Sequence, residues 1–262
     1  MRIAQIILPD ASEYERKCQR ADRAALAERH EVLSYKETDG VRNADVAHVY
    51  TSGELPRATF AAFPVPYVAP ARLARSRWSF GKVSEPGYVV TWENLPEVVE
   101  DWYFGAPRAA GGAQKTIGSF ARNSTQNMVE QTMARIHRFR QDVEWNVFHA
   151  PPSPEDLASV DCWVDPAVHE NDLDGFTAEA LVVGLPVVAS RTAVNAARLE
   201  QGRTGWLVPP RDPNEMTHAI LSALFKAEVA ENKIKAAKQT GGKFRSRQRL
   251  RVLTHMYETL IR

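Results

Sequence analysis

The sequence has few cysteines and almost no net charge, and each shortage excludes a class of protein. Its 262 residues include two cysteines, Cys18 and Cys162, which lie far apart and lack the spacing of metal ligands. A disulfide-stabilised scaffold is therefore excluded, and a reducing, cytoplasmic location is expected. The 33 Lys and Arg residues balance 32 Asp and Glu residues. The resulting charge of +1 gives no electrostatic basis for a nucleic-acid partner.

The chain also lacks long apolar runs and a glycine-rich dinucleotide fingerprint. No stretch approaches the roughly 20 apolar residues of a membrane-spanning helix. The apolar run at residues 3–8 is too short for a secretory signal. Any membrane contact is therefore expected to be peripheral. A dinucleotide-dependent oxidoreductase is disfavoured because no Gly-x-Gly-x-x-Gly motif follows a predicted strand.

What the chain does contain is a regular alternation of apolar strands and amphipathic helices, which predicts an α/β fold with mainly parallel sheets. Strands are predicted near residues 2–8, 46–50, 65–69, 88–91, 117–121, 145–149, 162–164, 187–189 and 206–208. Helices are predicted near residues 12–29, 124–141, 177–183, 192–202 and 244–261, and others begin near residues 93, 154 and 212.

The segment from Asp174 to Pro213 carries the clearest local signals. The helix at 177–183 ends at Gly184, since glycine accepts the left-handed conformation of a helix C-terminus. Pro186 then begins an apolar strand, a position at which proline is tolerated. Asp212 precedes a proline and a glutamate in the pattern of a helix N-terminus. The segment therefore predicts half of a doubly wound α/β domain.

This segment resembles the nucleotide-sugar-binding domain of GT-B glycosyltransferases, in particular the retaining family 4 group. The residues that carry the resemblance are Pro166, Asp174-Gly175-Phe176, Glu179-Ala180, Gly184-Leu185-Pro186-Val187-Val188-Ala189, Asn195, Gly202, Thr204-Gly205, Leu207-Val208-Pro209-Pro210 and Asp212-Pro213.

The resemblance implies a fold and a reaction. Two Rossmann-like lobes are expected at residues 1–108 and 109–243, separated near a Gly-, Ala- and Pro-rich linker at 105–112. A C-terminal helix at 244–262 is expected to cross back to the first lobe. The reaction would transfer a sugar from a nucleoside-diphosphate donor to a sugar, lipid or small-molecule acceptor. Retention of configuration is expected, with neither a cofactor nor a metal.

Ligands of open parallel sheets bind beyond the carboxyl ends of the strands, so the polar loop after Val164 is the expected donor site. Backbone N–H groups around Gly175, Phe176 and Thr177 begin a helix and are expected to hold a diphosphate. Glu179, expected to be exposed in the first helical turn, matches the family's ribose-binding glutamate.

The resemblance also implies catalytic residues. The family places a second glutamate upstream, and two positions compete for its role. Counting forward from Pro166 selects Glu170, whereas matching the Asp-Gly-Phe string selects Asp174. Arg122 follows a predicted strand where the family has an arginine that neutralises the donor diphosphate. The family's neighbouring lysine is replaced here by Asn127.

Three alternatives stay open. A degenerate GT-B protein would bind a nucleotide or a partner without turnover. Asp172-Leu173-Asp174 forms an Asp-x-Asp string, the metal-binding signature of the other glycosyltransferase fold. The basic run of Arg72, Arg75, Arg77 and Lys82 would attract an anionic acceptor or a lipid headgroup, although such runs are usually solvated surface.

Overall fold

The chain forms two compact units, one of residues 1–98 with 244–262 and one of residues 99–243. The computed structural model describes residues 1–9, 11, 13–36, 41–50, 67–70, 87–90, 99, 101–106, 114–169, 172 and 175–261. Each unit contains a parallel five-stranded sheet together with α-helices. The predicted α/β class with parallel sheets is confirmed.

Unit 1 is built on a sheet with the strand order β2-β1-β3-β4-β5. Its strands are β1 Arg2–Ile7, β2 Glu31–Tyr35, β3 Val46–Tyr50, β4 Tyr67–Pro70 and β5 Gly87–Val90. Its described α-helices are α1 Glu13–Ala27 and the C-terminal α8 Ser246–Leu260. Every residue of β3 is buried, as expected for a central strand of a parallel sheet.

A buried polar network connects helix α8 to the rest of unit 1. Arg249 donates two hydrogen bonds to the carboxylate of Asp22, at 2.5 and 2.7 Å. The Tyr50 hydroxyl donates to the same carboxylate at 2.8 Å. Nδ1 of His48 lies 2.7 Å from the Tyr257 hydroxyl. All five side chains are buried, so α8 is held by specific polar contacts as well as by apolar packing.

Unit 2 is built on a sheet with the strand order β10-β9-β8-β6-β7. Its strands are β6 Lys115–Phe120, β7 Val143–Phe148, β8 Cys162–Asp165, β9 Val187–Ser190 and β10 Trp206–Val208. Its described α-helices are α2 Gln126–Ile136, α3 Pro154–Ala158, α4 Thr177–Val183, α5 Ala193–Arg198, α6 Pro213–Phe225 and α7 Ala227–Thr240.

The strand order of unit 2 reverses at β6, because β7 lies on one side of this strand and β8 on the other. Such a reversal opens a crevice beyond the carboxyl ends of the two strands at the switch. In unit 2 this crevice lies beyond Phe120, the last residue of β6, and Asp165, the last residue of β8. Within the described residues, the helices are too short or too polar to cross a lipid bilayer.

Candidate functional site

An arginine and an aspartate meet at the switch point of unit 2. Arg122 lies just beyond β6, and Asp165 is the last residue of β8. Nη2 of Arg122 donates a hydrogen bond to Oδ1 of Asp165. The Asp165 side chain is fully buried, and the Arg122 side chain is 12% exposed. The sequence-predicted arginine therefore lies where an open parallel sheet binds its ligand.

The carboxylate of Asp165 gathers hydrogen bonds from two further elements. Oγ1 of Thr177, the first residue of α4, donates to Oδ2 at 3.1 Å. Nδ2 of Asn195, in α5, donates to the same oxygen at 2.8 Å. A Cβ atom at Gly175 would overlap this carboxylate, so the close approach of the chain requires glycine. Asp165 thus fixes β8, α4 and α5 around one buried charge.

The ionised form of Asp165 is the stable one. Burial is the largest influence and by itself raises the pKa of the carboxyl group. The positive charge of Arg122, the hydrogen bond from Asn195 and the charge of Arg198 oppose it. The net effect lowers the pKa of Asp165 below its ordinary value. Asp165 is therefore a fixed negative charge at neutral pH.

Arg122 retains unused hydrogen-bond donors. Within the part of the chain that the structure describes, its Nε and Nη1 atoms are buried and have no hydrogen-bond partner. Buried polar groups in proteins are nearly always paired, and guanidinium N–H groups pair best with anionic oxygens. The arrangement therefore provides donors suited to a carboxylate or a phosphate ligand.

Aromatic side chains hold the loop that precedes helix α4. Phe176 has a left-handed backbone with φ of 50°, an uncommon conformation for a residue with a bulky side chain. Its ring packs edge-on against Phe120 with 4.8 Å between centroids. Nε1 of Trp163 donates to the Gly175 carbonyl at 2.6 Å. These contacts fix the backbone of the predicted Gly175, Phe176 and Thr177 segment beside Asp165.

Glu179 is buried, and the prediction that it is exposed is wrong. Its exposure is 1%, and every residue of α4 except Val182 is buried. The cause is the position of the helix, which contacts α3, α5, α7 and the strands β8 and β9. A carboxylate on such a helix lies inside the unit even in the first turn.

The other acidic residues of the loop after β8 are only partly described by the structure. Glu170 and Asp174 lie outside the described residues. Oδ2 of Asp172 accepts hydrogen bonds from the backbone N–H groups of Val168 and His169, at 2.9 and 3.0 Å. This aspartate therefore folds the loop after β8. Among the described residues, no group of three His, Cys, Asp or Glu side chains is arranged to hold a metal ion.

Sequence reasoning missed Asp165 although a signal was present. The apolar pattern predicts a strand that ends at Val164, and the more polar loop beyond it contains the predicted site residues. An acidic residue at the carboxyl end of a buried strand beside the switch point is itself unusual. Asn195 belongs to the residues that carry the resemblance, but its contact with Asp165 depends on tertiary structure.

Comparison with known proteins gives one family match. Residues 116–225 match the family described as "Glycosyl transferases group 1". This range contains Arg122, Asp165, Thr177 and Asn195. A search of curated proteins finds no match.

Solved structures match both units. HepE from Anabaena, in complex with UDP, has a TM-score of 0.69 at 12% identity, with 99% of this chain and 100% of that chain covered. A glycosyltransferase from Rickettsia africae has a TM-score of 0.73 at 10% identity, with coverage of 100% and 98%. AviGT4, a glycosyltransferase involved in avilamycin A biosynthesis, has a TM-score of 0.61 at 13% identity, with coverage of 100% and 98%.

The family match and the structural matches agree on the architecture. Residues 116–225, within unit 2, are similar to group 1 glycosyltransferases, and the chain as a whole has the GT-B fold of these solved structures.

Proposed function

We propose that this protein is a glycosyltransferase that moves a hexosyl group from a nucleoside-diphosphate sugar to an acceptor hydroxyl. The observation that carries the proposal is Arg122, whose buried guanidinium lies at the switch point of unit 2 with N–H donors that lack protein acceptors in the described chain. A donor diphosphate supplies anionic oxygens of the kind that such a guanidinium binds. The family match over residues 116–225 supports the same assignment.

A uridine nucleotide is the first donor to test. The structural neighbour HepE has been crystallised with UDP, with UDP and glucose, and with UDP-glucose. At 12–13% identity this likeness shows the fold alone. The uracil base and the glucose of the donor are therefore part of our proposal. Glu179, at the start of α4, is the residue proposed to bind the ribose hydroxyls.

Arg122 would stabilise the charge that develops during transfer. The bond between the anomeric carbon and the diphosphate oxygen breaks, and the departing diphosphate gains negative charge. A guanidinium fixed before the reaction stabilises this charge without reorganising. We therefore include metal independence in the proposal, with retention of configuration as the resemblance to family 4 implies. The charge of Arg122 supports the proposal of metal independence.

We expect catalysis to proceed without a metal ion. Hydrolysis or transfer with UDP-, GDP- and ADP-glucose should proceed at the same rate in excess EDTA as in Mn²⁺ or Mg²⁺. The Arg122→Ala variant serves as the control for contaminating enzymes and should lose the activity. A strict requirement for a divalent ion would contradict the proposal and favour the Asp-x-Asp hypothesis.

A second candidate function is nucleotide binding without turnover. Asn127 stands where the resemblance places a lysine, and its Oδ1 accepts a hydrogen bond from Gln131 at 2.9 Å. Asp165 also offsets the charge of Arg122. Both observations reduce the positive charge available to a departing diphosphate. Binding of a nucleoside diphosphate without any donor hydrolysis, across the three donors, would identify this function.

A further inference from the structure

We infer that Asp165 is a positioning residue for the donor diphosphate, acting by fixing the Arg122 guanidinium so that Nε and Nη1 stay available for phosphate oxygens. The inference rests on the proposed function and adds to it a residue that the resemblance does not supply. The observations that carry it are the contact between Nη2 and Oδ1 and the unpaired state of the other two nitrogens within the described residues.

The guanidinium has one anchored nitrogen. Arg122 is attached to the loop after β6 by its backbone, and Nη2 attaches its far end to the last residue of β8. Because the guanidinium is planar and rigid, two attachments restrict the plane of the group. The N–H bonds of Nε and Nη1 are then restricted in direction. An arginine without this anchor would sample many rotamers, and binding would have to order it.

The anchor itself is rigid. Oδ2 of Asp165 accepts from Thr177 at 3.1 Å and from Asn195 at 2.8 Å, while Oδ1 faces Arg122. Gly175 closes the remaining side of the carboxylate. Each oxygen therefore has its own partners, and the carboxylate has little freedom to rotate away from Arg122.

The buried pair also resolves an electrostatic problem. An isolated guanidinium in this environment would be costly, since removing a charge from water is strongly unfavourable. The carboxylate of Asp165 compensates for that cost while the donor is absent. The pair has no net charge, so recognition of the diphosphate would depend on directed hydrogen bonds more than on long-range attraction.

A competing role for Asp165 predicts a change in diphosphate affinity of the opposite sign. If the carboxylate only neutralised Arg122, its removal would expose a full positive charge and strengthen binding of a diphosphate. If it positions Arg122, its removal weakens binding although the site becomes more positive. The sign of the change in affinity therefore separates the two roles.

The test measures binding of UDP, GDP and ADP, and of the matching nucleosides, by calorimetry with the full chain. Asp165→Asn should weaken binding of the recognised diphosphate by about tenfold, the loss typical of a charge-assisted hydrogen bond, and change nucleoside binding by less than about twofold. In an Arg122→Ala background, the same substitution should have no further effect on the ratio of the two affinities.

Asp161→Asn is the matched control. Asp161 precedes β8, and its carboxylate accepts from Lys115 Nζ at 3.2 Å and from the Thr116 backbone at 3.0 Å. The same chemical change is thus made between the same two strands, at their amino ends. This variant should leave the ratio of diphosphate to nucleoside affinity unchanged.

Asn195→Ala covers the case in which Asp165→Asn does not fold, because it removes a donor to the carboxylate without leaving a charge unpaired. It should lower the diphosphate affinity by about threefold relative to the nucleoside. Unchanged or stronger diphosphate binding in the folded variants overturns the inference alone. If the wild-type chain binds none of the three diphosphates, the proposed function fails and the inference fails with it.

Discussion

Two glutamates occupy the same position in two helices of unit 2 and differ in burial. Glu179 is the third residue of α4, and Glu215 is the third residue of α6. Glu179 is 1% exposed, whereas Glu215 is exposed to solvent. The helix dipole favours an acidic side chain at both positions. Only Glu179 exchanges its contacts with water for contacts inside the protein.

Glu179→Gln should weaken recognition of the nucleotide ribose. A carboxylate can accept hydrogen bonds from two ribose hydroxyls, whereas glutamine offers one acceptor oxygen. We expect weaker UDP binding and a smaller difference in affinity between UDP and its 2′,3′-dideoxy analogue. The variant should also lose about 1–3 kcal/mol of unfolding free energy, because an amide nitrogen replaces one oxygen of a buried side chain and disturbs its contacts. Calorimetry and urea denaturation measure the two effects.

Glu215→Gln provides the control for that variant. An exposed first-turn glutamate contributes only about 0.3–1 kcal/mol through the helix dipole, and nucleotide binding should be unaffected. If Glu179→Gln binds UDP and the dideoxy analogue as the wild-type chain does, Glu179 has no role in ribose recognition and contributes to stability alone.

At the scale of elements, helix α8 has an unusual attachment to the core of unit 1. His48, on the central strand β3, faces Tyr257 of α8 at 2.7 Å and Tyr50 at 3.2 Å. Burial lowers the pKa of His48 to about 3, with Asp22 raising it and Arg249 lowering it by smaller amounts. The imidazole is therefore neutral throughout the range in which most proteins are studied.

This burial predicts that acid destabilises unit 1. Unfolded His48 has a pKa near 6.5, so between about pH 6.5 and pH 3 the unfolded chain binds a proton that the folded chain does not. The free energy of unfolding should therefore fall as the pH falls through this window. From pH 7 to about pH 4.5 the contribution of His48 should be about 2 kcal/mol. Urea denaturation at both pH values measures it.

His48→Gln should remove that part of the pH dependence, because glutamine does not titrate. His255→Gln is the control, since His255 also belongs to unit 1 but is exposed on α8. The exposed substitution should leave the slope as it is in the wild-type chain. An unchanged slope in His48→Gln would mean that the buried imidazole is not the source of the acid sensitivity.

Most elements of unit 2 were predictable from the sequence because their signals are local. Gly184 ends α4 and Asp212 caps α6, each at the predicted position. Helix α2 was predicted to reach residue 141 but ends at Ile136. Residues beyond it form turns before β7, and an apolar pattern does not reveal where a helix must stop for the next strand to begin. Helix α7 was not anticipated.

At the scale of the whole molecule, the site was only partly predictable. The resemblance predicts the role of Arg122, and its position directly after a strand is where a parallel sheet generally binds its ligand. Its partner Asp165 is 43 residues away, and no spacing rule connects the two. The burial of Glu179 likewise depends on how α4 packs among the other helices and strands of unit 2. Tertiary contacts of this kind leave no periodic pattern in a sequence.

The proposed function requires unit 2 to bind a nucleoside diphosphate through Arg122. Calorimetric titration of the wild-type chain and the Arg122→Ala variant with UDP, GDP, ADP and their nucleosides tests it most directly. Arg140→Ala is the control, since Arg140 forms an ion pair with Asp142 just before the amino end of β7.

We expect at least one diphosphate to bind the wild-type chain and the Arg140→Ala variant equally. In Arg122→Ala its affinity should fall by about tenfold or more, with nucleoside binding unchanged, because the guanidinium contacts only phosphate. Binding of none of the diphosphates, or an equal loss for diphosphate and nucleoside, would contradict the account.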